Sequence, residues 1–179
     1  LGRWWDNRFA RSNYAACFGT DTWVPGASGS VLNFSSYAVD QMLGDLTDTD
    51  GPFRTFQGRK RSAFLDGTSH TIVASEVRAG QFDDLISTND RGDVRGQWGH
   101  PFMGCSAYSH RITPNSSAPD ELRAEFCSTS DPRFNDPHPC TVVGSHQGDP
   151  DVLQRCVARS KHPGGVNCLY VDGHVEFQG

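Results

Sequence analysis

Long apolar runs are missing from this chain. Nowhere in its 179 residues do 18 consecutive apolar residues occur, so no segment reads as a membrane-spanning helix. The opening Leu1-Gly2-Arg3-Trp4-Trp5-Asp6 shows neither a basic leader nor an apolar stretch. Hydrophobic residues reach only 36%, beside 19 Gly and 10 Pro. That mixture excludes a helical bundle and predicts short strands, many turns and long loops. Basic blocks are nearly absent; Arg59-Lys60-Arg61 reads as a solvated turn, and a net charge of −5 argues against a nucleic-acid partner. No C-x-x-C pair occurs, which removes zinc ribbons and fingers. The H-E-x-x-H, G-x-S-x-G and P-loop signatures are missing as well.

What is present suits a single domain over residues 1–179. Six cysteines, Cys17, Cys105, Cys127, Cys140, Cys156 and Cys168, form an even set in a loop-rich chain. Disulfides in an oxidising compartment fit that pattern, with Cys127–Cys140 and Cys156–Cys168 as the local pairs; sequence does not choose among the connectivities. Apolar Val39, Met42, Leu43 and Leu46 predict a short helical turn, and Pro119-Asp120-Glu121 predicts another over 118–126. Strands are expected at 53–56, 63–65 and 71–77, the last two flanking a hairpin connection at Asp66-Gly67-Thr68-Ser69. Residues 109–148, rich in proline, read as a long irregular loop clamped by cysteines.

The most informative passage is His162-Pro163-Gly164-Gly165-Val166-Asn167-Cys168-Leu169-Tyr170-Val171-Asp172-Gly173. Asp172-Gly173 lies between two short strand-like runs, 166–171 and 174–177. Two residues that tolerate φ > 0 there predict a type I′ hairpin entered from the His162-Pro163-Gly164-Gly165 bend. Three earlier passages accompany it: Ser12-Asn13-Tyr14-Ala15-Ala16-Cys17-Phe18-Gly19; Leu65-Asp66-Gly67-Thr68-Ser69-His70-Thr71-Ile72 running on to Glu76; and Thr113-Pro114-Asn115-Ser116. In this order they resemble the S-N-Y-x-x-x-x-G, D-G-T-S-N-T-I-x-x-x-E, T-P-N-S and H-x9-D-G segments of the prepilin-type, processing-associated H-x9-DG family of bacterial pseudopilin-like proteins, with His70 in place of the usual Asn. The resemblance spans residues 12–177. It implies an α+β, pilin-like globular head with an antiparallel sheet, little helix and disulfide-clamped loops. It also implies an extracytoplasmic location and assembly with other protein subunits at the cell envelope. Family members carry an apolar N-terminal anchor that these residues lack, so membrane association is expected only through a partner or a missing N-terminal helix.

Several residues invite a chemical reading. Asp45, Asp48 and Asp50 before Gly51 approximate half of a calcium loop, the one cofactor site suggested, although the terminal Glu is missing and a solvated acidic turn is the default reading. His162 is expected to fix the bend before the hairpin, with Asp172 capping the turn through an Asx bond; a metal shared by the two is the alternative. Ser69 with His70 and Glu76, and Ser160 with His162, could be dressed as hydrolase sites, yet Ser69 is expected to bond backbone in its turn. Adjacent Trp4 and Trp5 cannot both face one core if extended, which makes them candidate partner anchors. The expected function is a non-catalytic, extracytoplasmic structural or accessory subunit. The alternative is a secreted binding module for carbohydrate or a surface polymer.

Overall fold

The computed structural model describes residues 10–20, 51–53, 58–80, 95–98, 103–122, 140–143 and 155–179. Its strands are β1 (Tyr14–Cys17), β2 (Ile72–Glu76), β3 (Ala107–Tyr108), β4 (Asp120–Leu122), β5 (Cys140–Val142), β6 (Val166–Tyr170) and β7 (Val175–Gln178). Among the described residues the only helical segment is a 3₁₀ turn, Arg61–Ala63. The described part of the protein is therefore strand-rich with little helix, as composition implies.

Five strands form one mixed sheet in the order β3-β1-β2-β6-β7; β4 and β5 form a second, two-stranded sheet. The expected antiparallel pairing holds for β1·β2, β2·β6 and β6·β7, whereas β1·β3 and β4·β5 run parallel. Alternation explains which face is buried. In β6, Val166, Cys168 and Tyr170 point inward, and in β1, Ala15 and Cys17 do the same. They pack with Val77, Tyr108 and Ala158 to make the core. The opposite face carries Tyr14, Ala16, Ala74, Leu169, Val175 and Phe177, residues brought into line by the registers Ala16↔Ala74, Ala74↔Leu169 and Leu169↔Val175.

Some local expectations are corrected. The Pro119-Asp120-Glu121 helical turn is absent, because Asp120–Leu122 is strand β4, paired with β5 twenty residues on. The strand at 63–65 is absent too: Arg61–Ala63 winds as 3₁₀, so Asp66-Gly67 belongs to a succession of turns rather than a hairpin. The Asp172-Gly173 turn does join β6 and β7, but not as type I′. Only Gly173 has positive φ, at 94°, while the amide of Gly173 donates to Tyr170 O and that of Tyr170 to His174 O. This is a three-residue loop, a type I turn followed by a left-handed glycine. The helical turn expected around Val39–Leu46 falls outside the described residues, as do Asp45, Asp48, Asp50, Trp4 and Trp5.

The cysteine framework also changes. Cys156 and Cys168 are not joined: both are buried thiols, as are Cys17 and Cys105. Cys168 lies on the core face of β6 and its Sγ donates to Ser75 Oγ at 3.3 Å. Cys140, buried in β5, is disulfide-bonded, and Cys127 lies outside the described residues.

Candidate functional site

Glu76 ends β2 with its side chain only 10% exposed. A carboxylate so placed must be supplied with donors. The Asn167 main-chain N–H donates to Oε2 at 2.8 Å and its Nδ2 at 3.3 Å. Tyr14 Oη donates to Oε1 at 3.5 Å, and His162 Nε2 stands 3.2 Å from the same oxygen. The Tyr14 phenol is raised by partial burial and by the adjacent carboxylate. His162 in turn meets Phe177 edge-on, with ring centroids 6.3 Å apart.

Asn115 is the second node. Its backbone takes a left-handed φ of 55°, tolerable for Asn. Its Oδ1 accepts from Ser160 N at 2.8 Å, and its Nδ2 donates to Gly165 O at 3.0 Å and His162 O at 3.4 Å. Ser160 Oγ donates to Gly165 O at 2.6 Å and accepts from His162 N at 2.9 Å, so this hydroxyl is tied into the bend. Thus Tyr14, Glu76, Asn115 and His162, one from each of the four sequence passages, meet in one hydrogen-bonded cluster. The structure does not bring Ser69 and His70 to Glu76: Ser69 Oγ lies 3.3 Å from its neighbour His70 Nδ1, and Thr71 Oγ1, not Ser69, caps the turn by donating to Gly67 O at 3.0 Å.

His162 and Asp172 do not meet. Asp172 caps its own turn as expected, Oδ1 accepting from His174 N at 3.1 Å and lying 2.6 Å from His174 Nδ1. These bonds, backbone first, hold the Asp172 carboxyl below the usual range. His174 stacks on Tyr170, with ring centroids 4.3 Å apart. Asp172 N also donates to Thr68 O at 3.2 Å, which seats the terminal turn beside the Gly67 turn, where φ is 89°. No cluster of three metal-ligating side chains occurs among the described residues.

A second feature escaped the sequence entirely. Asp120 is 1% exposed between Arg95 and Arg159, both at 0%, with contacts of 2.7 and 3.0 Å. Val157 N donates to Asp120 Oδ1 at 3.1 Å, and the Arg159 guanidinium also donates to Ser116 O and Ala118 O. Past the end of β2, a cleft of about 370 Å³ opens between residues 77–80 and 159–162, with Asn13 and Glu76 at its edge.

Fold and cluster together define a strand-rich domain whose signature residues are spent on internal hydrogen bonds. The chain belongs to the family described as protein of unknown function (DUF1559), whose model (SBP_bac_10) matches residues 6–178. No curated protein and no solved structure matches it.

Proposed function

We propose that this domain is a non-catalytic, extracytoplasmic structural or accessory subunit of the H-x9-DG, pseudopilin-like kind, working within a pilin-like or other cell-envelope assembly. The observation that carries this reading is the open face of the main sheet. Tyr14, Val175 and Phe177 are 49%, 63% and 50% exposed and Leu169 is 38% exposed, with the small Ala16 and Ala74 between them. These apolar side chains, set around the polar Glu76 and Asn167 of the same face, gain from being covered by protein. The use of Glu76, Asn115 and His162 as structural ties supports a non-catalytic role, since each supplies its hydrogen bonds to the fold. Trp4 and Trp5 remain a second proposed anchor for the partner.

The test is co-purification from the native envelope. Replacing Tyr14 and Phe177 by serine should remove stoichiometric partner subunits while leaving the melting transition cooperative. Recovery of the wild-type protein as a monomer on a polysaccharide column would favour the carbohydrate-binding alternative instead. A substrate turnover abolished by His162→Ala would end the non-catalytic reading.

A further inference from the structure

Strand β7 ends the main sheet in the order β3-β1-β2-β6-β7, so only one of its sides is paired. Which backbone groups the other side presents follows from β6. The N–H and C=O of Asn167 both turn toward β2, bonding Glu76 Oε2 and Ser75 Oγ, and Val171 N–H donates to Thr71 O. Backbone groups alternate sides along a strand, so Val166, Cys168 and Tyr170 serve β7. Tyr170 N–H does donate to His174 O, and the registers Cys168↔Glu176 and Val166↔Gln178 continue that side. The N–H and C=O of Val175 and Phe177 are thereby aimed away from the sheet, where no strand among the described residues takes them. Lysine, proline or a bulge commonly guards such an edge. Val175-Glu176-Phe177-Gln178 has none of these and holds an unbroken register on β6. Val175, Glu176 and Phe177 are all exposed, so both faces of the strand are open as well as its edge. On one face stand Val175 and Phe177, beside Leu169 and Asn167; on the other is Glu176, which makes no ion pair among the described residues. This single charge on β7, in a chain of net charge −5, repels acidic strands and admits basic ones. A second copy fits less well. The twofold register that uses both outward residues, Val175 against Phe177, places Glu176 opposite itself, like charge on like.

We propose that the β7 edge takes an extended segment of a partner protein as a further, antiparallel strand, its apolar residues beside Val175 and Phe177 and an intervening lysine or arginine beside Glu176. Main-chain bonds to Val175 and Phe177 supply affinity, and the alternation of side chains supplies specificity. The proposal rests on the assembly reading above and names the element through which a partner joins. The probe is a fluorescein-labelled Val-Lys-Val-Lys-Val peptide, titrated into the whole chain and followed by anisotropy. Saturable binding is expected. N-methylation of the valines removes the N–H groups that face β7 in this pairing and should abolish binding. N-methylation of the lysines removes outward N–H groups and should leave binding in place. Glu176→Lys should weaken it about threefold or more. Equal loss from both methylated peptides, indifference to Glu176→Lys, or equal affinity for Val-Glu-Val-Glu-Val would each overturn the proposal. So would sedimentation of the free chain as a dimer that the peptide dissociates, which would give the edge to a second copy. The two readings fail separately. Absence of peptide binding with partner co-purification intact removes only the edge; peptide binding in a protein that never co-purifies with a partner removes the assembly role.

Discussion

A side chain's surroundings decide what its charge is worth, and Glu76 and His110 show two outcomes. Glu76 collects hydrogen-bond partners from β1, β6 and the bend at His162. Charge-assisted bonds of this kind are worth more than neutral ones. Glu76→Ala should therefore cost about 2–3 kcal/mol in urea denaturation; a loss below about 0.5 kcal/mol, as at ordinary surface sites, would mean the cluster contributes little. His110 is the opposite case. Its ring sits against Tyr108, with Nδ1 3.3 Å from the phenol oxygen, and burial lowers its pKa below 6.5. The folded state thus prefers the neutral imidazole. Stability from this residue is complete above pH 6.5, erodes as the unfolded chain protonates below that value, and is gone once pH falls through the depressed folded pKa. Urea midpoints measured between roughly pH 5 and 8 should fall on the acid side in the wild type, and His110→Asn should flatten that slope. The thiols give a third check at this scale. After unfolding without reductant, alkylation should mark Cys17, Cys105, Cys156 and Cys168, while Cys140 should react only after reduction. Label on Cys140 without reductant would contradict the bond at β5.

Among the elements, the β6–β7 hairpin depends on how closely the chain passes itself at Gly165. A Cβ built there would lie 2.1 Å from Gln178 O, inside any contact distance, and 2.9 Å from the Phe177 ring. The backbone cannot yield without breaking the Val166↔Gln178 pair. Gly165→Ala should consequently lower stability by about 2 kcal/mol or more and release protection of the β7 amides in hydrogen exchange. Unchanged exchange at Phe177 and Gln178 would show that the strand accommodates the methyl. This hairpin was legible in the sequence because alternation and a glycine turn both mark it. Its turn type was not, because the bonds from Asp172 Oδ1 to His174 stabilise a conformation in which only Gly173 needs positive φ. Strand β4 was misread for a different reason. Pro119-Asp120-Glu121 carries the acidic first turn of a helix, and the pairing that makes Asp120–Leu122 a strand comes from residues far along the chain. The site was half legible in the same sense. His162 and Glu76 each stood in a recognisable passage, but they are 86 residues apart and only the sheet order puts them together.

The molecule as a whole is joined across its two sheets by Asp120. Strand β4 brings this carboxylate to the small sheet's inner side, where it binds Arg95 and Arg159; the Arg159 N–H donates to Glu76 O at the end of the main sheet. The small sheet, the β2 terminus and residues 116–118 therefore share one buried polar centre. Such a pairing is weak evidence of net stabilisation, since taking three charges out of water is costly. Removing one member is another matter, because breaking a buried ion pair is strongly destabilising. Asp120→Asn preserves shape but takes the carboxylate charge away from two buried guanidinium groups, and it should cost about 3–5 kcal/mol. Glu121, next in the chain, pairs with Arg155 at 2.7 Å but with both side chains roughly a third exposed, 29% and 32%. Water and salt already screen that pair, so Glu121→Gln should cost under about 1 kcal/mol. Urea denaturation of the two variants side by side separates burial from mere proximity. If both fell equally, Asp120 would be no more than another surface ion pair; if Asp120→Asn alone unfolds cooperatively at much lower urea, the buried centre is what binds the two sheets into one folding unit.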